Sequence, residues 1–406
     1  MIQITDKSKC CGCEACVQAC PRKCIVFTQD KEGFYYPQVD KEQCIDCGLC
    51  EQACPELSVY DKHLPIEVLA AINKNDEVRS SSSSGGVFSV LAEKVIDSGG
   101  VVFGVRFDDD WLAVFDYAES MEQVAAFRGS KYLQARVGDS FSHCKRFLNE
   151  GRQVLFSGTP CQIAALNHFL RKPYPNLLTV DFVCHGVPSP KVWQHYLKEV
   201  VKAGRKAILD VKFRDKKHGW KQFGFVLDYH DGTKAYTMSS PFRENQYMKS
   251  FLANLILRPS CHACPAKEGR SHSDVTIADF WGVDKVSPLM DDDKGTSLVL
   301  IHTGKGATAF SREALRIANV AFEEACRYNS AYVHSVSKHP NRDKFFATFD
   351  ESTDLHRLIR ECFRPPLNQR VKQIMKLPFR MAKHAVFWTV NKCKRRGGKT
   401  TDISHY

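Results

Sequence analysis

The sequence predicts a multidomain chain of the α+β / α/β kind, in which a small cysteine-rich module precedes a larger mixed α/β body. Three observations carry the prediction. One cysteine pattern occurs twice at the start of the chain, and buried strands alternate with helices from Asp139 to Leu197. The length of 406 residues exceeds what one small module needs and allows about two or three cores. The boundaries expected are 1–62 for the module, 65–340 for the body and 341–406 for a basic C-terminal extension.

The repeated pattern is C-x2-C-x2-C-x3-C-P, at Cys10, Cys13, Cys16, Cys20-Pro21 and again 34 residues later at Cys44, Cys47, Cys50, Cys54-Pro55. This is the spacing of a bacterial two-cluster ferredoxin. Three thiolates on one tight loop hold three irons of a cubane, while the fourth cysteine lies beyond the loop and points to the other half. Cys10, Cys13, Cys16 and Cys54 are therefore expected on one 4Fe-4S cluster, and Cys44, Cys47, Cys50 and Cys20 on the other. Between the copies, Ile25-Val26-Phe27 and Phe34-Tyr35-Tyr36 flank a turn and read as a hairpin. Structural zinc is the weaker alternative, because two C-x2-C pairs satisfy it and leave the third cysteine and the C-P unexplained. Disulfides are weaker still, since nothing resembles a signal peptide. Cys11 and Cys24 fall outside the pattern and are taken as ordinary buried thiols.

Charge excludes one class of partner. The formal net charge is +11, but from Lys338 onward 16 Lys and Arg face 6 Asp and Glu, so nearly all of it belongs to the tail. A near-neutral body argues against a nucleic-acid-binding core. No apolar run reaches the roughly 18 residues of a membrane span, and 18 cysteines without an export signal point to a reducing cytoplasm. In the tail, Lys372 to Lys383 and the cluster Lys392, Lys394, Arg395 and Arg396 flank Phe379, Phe387 and Trp388. A basic helix with an aromatic face there would give peripheral contact with the inner face of a membrane. A solvated end, or a docking arm for an acidic redox protein, is the plainer alternative.

After Tyr60 a linker with Pro65 leads to Arg79 and the serine run Ser80 to Ser84, then Gly85-Gly86 at the start of a helix near Val87. Such a run is usually a flexible linker, but small residues at a helix start also leave N–H groups free for an anion. A strand follows at Val101 to Phe107, then the loop Arg128-Gly129-Ser130-Lys131-Tyr132. A helix capped by Asp139, a strand at Val154 to Phe156, a helix from Cys161, a strand at Leu177 to Val183 and a helix near Pro190 make a parallel α/β unit. Its loops emerge at one sheet edge, so Cys161 and Cys184 are expected to be neighbours. Beyond it lie strands at Ile208 to Phe213 and Phe223 to Tyr229, a helical stretch at Glu244 to Leu257, strands at Val275 to Asp279 and Leu298 to His302, and a helix at Ala307 to Val320.

Cys161, Cys184, Cys261 and Cys264 occupy loop positions that suit ligands, and together they would hold a third cubane. The alternatives are zinc on the C-x2-C pair, or Cys161 as a thiolate activated at a helix N-terminus. His185 and Asp279 are candidate proton donors, each weighed against a role as a hydrogen-bonded structural residue. Trp281 reads as core before flavin-stacking.

Six segments occur here in one order: Ser84-Gly85-Gly86-Val87-Phe88, Gly129-Ser130-Lys131-Tyr132, Gly158-Thr159-Pro160-Cys161-Gln162, Cys184-His185-Gly186-Val187-Pro188, Arg258 to Cys264, and Ile277 to Gly282. The ordered set resembles the beta-subunit family of coenzyme F420-reducing hydrogenase and F420-linked formate dehydrogenase. The resemblance implies a mixed α/β domain binding FAD and a 4Fe-4S cluster. It implies Cys161, Cys184, Cys261 and Cys264 as cluster ligands. It also implies Ser84, Gly85, Gly86, Gly129, Ser130, Lys131, Tyr132 and Thr159 as cofactor-binding residues, with Lys131 offsetting negative charge and the Gly85-Gly86 amides on the pyrophosphate. Deazaflavin-reducing archaeal subunits are shorter. The fused form is similar to bacterial relatives near surface-polysaccharide genes and to plant relatives that reduce a chlorophyll derivative, so the two-electron substrate is unassigned.

Clusters carry single electrons and a flavin converts them to pairs. The expected function is an oxidoreductase relaying electrons from a ferredoxin-like donor through 4Fe-4S clusters to FAD and a two-electron acceptor. The rival reading is an electron-transfer subunit of a larger redox complex, with polysaccharide biosynthesis as one setting and no substrate of its own.

Overall fold

A computed structural model describes residues 1–202 and 207–364. Met1–Leu355 form one compact unit, and of the second unit the described part is 356–364. The basic clusters and aromatic residues expected to form a tail helix lie outside the described residues. Among the described residues no helix is long and apolar enough to cross a membrane.

The cysteine module is built on the hairpin of β1 (Ile25–Gln29) and β2 (Tyr35–Val39), with Ile25 opposite Val39 and Gln29 opposite Tyr35. It is bolted to the body by buried polar contacts. Glu14, 4 % exposed, receives Arg136 bidentately at 2.7 and 3.0 Å and the Val137 amide at 3.0 Å. Arg342 grips Glu32 at 2.7 Å, and Ser189 Oγ donates to the Glu32 carbonyl at 2.6 Å. The hairpin turn has room only for glycine at Gly33: φ is +87°, and a Cβ would stand 2.2 Å from Lys191 Cβ. Past the module, the Tyr60 ring is sandwiched between His168 and His272 at 4.4 and 4.5 Å, which ties the connecting segment to the body.

The body is organised around an eight-stranded sheet. In chain order its strands are β3 (Glu67–Asn73), β4 (Val101–Phe107), β5 (Ala113–Ala118), β6 (Val154–Gly158) and β7 (Leu177–Phe182). A separate antiparallel sheet then interrupts, with β8 (Ile208–Asp215), β9 (Gly224–His230) and β10 (Ala235–Pro241), β9 at its centre. β11 (Val275–Asp279), β12 (Ser297–Ile301) and β13 (Leu315–Asn319) return to the large sheet, whose order is β13-β3-β12-β11-β7-β6-β4-β5. The central strands β11, β7, β6 and β4 run parallel, with Val154 opposite Leu177 and Val275 opposite Val180, while the flanking pairs are antiparallel. The parallel strands are near-continuous apolar runs because both faces are covered. One face packs the helix Val87–Asp97 through Val87, Val90, Leu91 and Val95.

Three expected elements differ. Glu67–Asn73, read as linker, is a strand buried along most of its length between β12 and β13. The helix expected over Ala307 to Val320 is a short helix, Gly304–Ala309, and then β13, because pairing with β3 outweighs the helix-favouring composition. The helix expected over Glu244 to Leu257 covers only Gln246–Leu252. It ends where Asn254 turns left-handed at φ 63° and the chain passes alongside Val187 to Ser189. The serine run is no flexible linker at its start either, since Asp76–Ser81 is helical and capped by Asn75.

Candidate functional site

The parallel strands deliver their carboxyl ends to one edge, where open α/β sheets place ligands. β6 ends at Gly158, and Thr159 caps the helix Pro160–Leu170, with Gln162 Oε1 accepting from both the Thr159 amide and hydroxyl at 2.9 Å. The same hydroxyl lies 3.2 Å from Cys161 Sγ. Thr159 is thus engaged as a helix cap and a neighbour of that thiol. β7 runs out at Phe182, two residues before Cys184. The segment Ile256 to Arg258 pairs with Val187 to Ser189, so the turn Pro259–Ala263 places Cys261 Sγ 3.4 Å from the Val187 amide.

Cys161, Cys184, Cys261 and Cys264 come together as expected, and each of their pairings is close enough for mutual electrostatic repulsion. Burial pushes Cys261 and Cys264 up to about 12 and Cys184 higher still; contact with Cys11, and then burial, raise Cys161. Lys267, 7 % exposed, supplies a nearby positive charge: its ammonium donates to the carbonyls of Cys184 at 2.7 Å and Ala331 at 2.6 Å.

In the module, Cys10, Cys13, Cys16 and Cys54 line one cavity with Cys11 and Glu56, and Cys20, Cys44, Cys47 and Cys50 line a second with Cys24. The two groups are the crossed quartets. Among the described residues no set of three or more His, Cys, Asp or Glu closes on a single ion. The thiols are disposed around cages, which suits a cubane better than the roughly 2.3 Å bonds of mononuclear zinc.

Cys11 is more than a bystander thiol. It is half-buried and touches both Cys13 of the first quartet and Cys161 of the body. The Glu56 carboxyl lies at the same junction, with Oε1 buried and without a hydrogen-bond partner, and burial lifts its pKa to about 7. Arg258, fully buried, spans the junction from the body side. It donates to the Cys10 carbonyl at 2.7 Å, Gln134 Oε1 at 2.9 Å and the Tyr35 carbonyl at 2.9 Å.

The two loops expected to cradle a flavin also meet, through Ser83 Oγ and Ser130 Oγ at 2.8 Å. Gly86 takes φ 82° and starts the helix Val87–Asp97 with no side-chain cap, so that helix N-terminus is open to an anion. Arg128 reaches its first turn at Ser89 Oγ, 3.2 Å away. Two expectations are corrected. The Gly85 amide is not free, because it donates to Ser297 Oγ at 3.0 Å. The Lys131 ammonium turns back onto the carbonyls of Ala126, Arg128 and Gly129 at 2.8–3.4 Å, with desolvation lowering its pKa to about 7, instead of facing outward as a counter-ion. Ser84 hydrogen-bonds the Thr296 carbonyl at 2.8 Å. The Tyr132 ring stacks on Phe251 at 4.6 Å, and Phe251 meets His185 edge-on at 5.0 Å. The cations near Ser84 to Gly86 are residues that sequence reading missed. Lys216 donates to the carbonyls of Arg79, Ser84 and Lys294, and Arg79 is paired with Asp292 at 2.6 Å.

The proton-donor candidates are both held by hydrogen bonds. His185 Nε2 meets Asn254 Oδ1 at 2.7 Å, and burial lowers its pKa. Asp279 pairs with Arg214 and accepts from Trp220 Nε1 at 3.1 Å. Trp281 is not core: it is 36 % exposed and stacks on Trp220 at 4.8 Å.

Residues 151–324 match the family model for the C-terminal part of the coenzyme F420 hydrogenase/dehydrogenase beta subunit, and residues 68–140 match the model for its N-terminal part. Residues 9–57 match a 4Fe-4S dicluster domain. No curated protein matches the chain. Among solved structures it is similar to a chain of the F420-reducing [NiFe] hydrogenase complex from Methanosarcina barkeri. That likeness has 16 % identity and a TM-score of 0.44, over 79 % of this chain and 96 % of that one.

Proposed function

We propose that this chain, which belongs to the coenzyme F420 hydrogenase/dehydrogenase beta-subunit family and carries a 4Fe-4S dicluster domain in residues 9–57, is a cluster-to-flavin relay between a redox protein such as ferredoxin and a two-electron substrate. The observation that carries the reading is the Cys11 junction, where a cavity of the dicluster domain adjoins the half-buried quartet Cys161, Cys184, Cys261 and Cys264. When bound, cubanes supply single-electron steps and FAD couples them in pairs.

The protein's own part is to hold, insulate and orient. Cys47 is exposed in the second cavity, whereas Cys10, Cys13 and Cys16 are buried, so the cage of Cys20, Cys44, Cys47 and Cys50 is the place for an external partner to exchange electrons. Cys10, Cys13, Cys16 and Cys54 form the inner cage, and Arg258 and Lys267 offset negative charge at the junction and at the second quartet. The Phe251 ring lies between His185 and Tyr132, joining Cys184-His185 to the loop of Gly129 to Tyr132. The open N-terminus of the helix at Gly86, with Arg128 beside it, suits the cofactor's pyrophosphate.

The test is anaerobic mixing of the iron- and FAD-loaded chain with reduced ferredoxin. Cluster bleaching followed by flavin bleaching within the same chain is the expected result. Bleached clusters beside a flavin that stays oxidised would make the chain a one-electron module and remove the reading.

A further inference from the structure

The Arg214 side chain, at the end of β8, is 3 % exposed, and only part of its guanidinium is used. Nη1 pairs with Asp279 and reaches Tyr132 OH at 3.5 Å. Nε and Nη2 are buried with no hydrogen-bond partner. These two N–H groups form one edge of the fork, the edge that takes two acceptors side by side. The faces of the guanidinium are already covered, by Phe223 at 4.3 Å and Trp281 at 5.5 Å, so hydrogen bonding is left to that edge. A buried cationic donor pair left empty is costly and calls for an acceptor.

Its surroundings specify which acceptor. Arg214 adjoins Tyr132 in one flavin loop, and two residues further along the chain Lys216 holds the Ser84 carbonyl of the other. Arg214 therefore lies beside both loops, next to Asp279 and the Trp220–Trp281 stack. We propose that the Nε–Nη2 edge of Arg214 binds the N1–C2=O edge of the isoalloxazine of FAD, two adjacent acceptors in one plane. Negative charge collects at that edge when the ring takes up electrons, so Arg214 favours the electron-loaded cofactor, and Asp279 acts through Arg214 as its positioning residue. The inference rests on the proposed flavin relay.

The experiment compares the two-electron midpoint potential and the dissociation constant of FAD in the wild-type chain, Arg214→Met and Arg214→Lys, by anaerobic spectroelectrochemical titration. Losing the charged fork is expected to weaken the preference for reduced over oxidised FAD roughly tenfold, about 30 mV towards lower potential for a two-electron couple. Arg214→Lys, which keeps the charge and loses the fork, is expected in between. It carries the measurement if Arg214→Met no longer folds. Potentials equal to wild type in a variant that binds FAD would overturn the assignment and leave the relay standing. A wild-type chain that takes up no FAD would remove both.

Discussion

Cys161→Ser is expected to lower the iron of an anaerobically prepared chain from about twelve to about eight atoms, because the third of the proposed cubanes loses a ligand. Cys161 starts the helix after β6, against the thiols of Cys184, Cys261 and Cys264, and nothing in the module depends on it for its own quartets. The dicluster domain should still bleach with dithionite, while flavin reduction by ferredoxin becomes slow. Cys11 touches Cys161 and is placed to take over as a ligand, so the double variant Cys11→Ala, Cys161→Ser is the stricter form. Unchanged iron and unchanged flavin reduction in the double variant would show that Cys161 is neither ligand nor relay.

Arg258→Met should be the most damaging change outside the cysteines. The side chain is fully buried, lies over the rings of Tyr36 and Phe34 at 4.3 and 5.5 Å, and donates to acceptors on both the module and the body. Removing it strands the carbonyls of Cys10 and Tyr35 and the amide oxygen of Gln134 in a dry junction. The expected cost is about 3–5 kcal/mol, as for breaking a buried charged network. Cluster loss during denaturant unfolding is the measurement, with an earlier and faster transition expected. A transition identical to wild type would mean that Arg258 does not bolt the module to the body. The contacts of Arg136 with Glu14 and of Arg342 with Glu32 would then carry the docking.

The difference between these two residues also separates what was legible in the sequence from what was not. The module cysteines were legible because a cage ligated from short loops imposes short spacings. Val154 to Phe156 and Pro190 were legible because buried-strand composition and proline at a helix start are local signals, and Asp139 stands at its helix start although its side chain makes no cap hydrogen bond. β3 and β13 were not, since Ala70, Ala71 and Ala318 carry little strand preference and become strand by pairing across the two strands, Ala318 opposite Ala70 and Ile317 opposite Ala71. Arg214 lies 65 residues from Asp279, and Arg258 lies 248 from Cys10. No spacing rule reaches that far. Cys11 was misread because the residue beside a ligand in a cysteine motif normally points away from the cage. Here the other side is occupied by Cys161. Ser83 and Ser130 show the reverse case: two small-residue loops, each weak alone, that the fold brings into contact.

The central claim is that three cubanes and one flavin share this chain. Iron, acid-labile sulfide and FAD counted together on anaerobically purified protein test it most directly. The account predicts about twelve irons, about twelve sulfides and one FAD per chain, from four of each per cubane. Stoichiometric zinc without acid-labile sulfide, or about eight irons with no flavin, would contradict it.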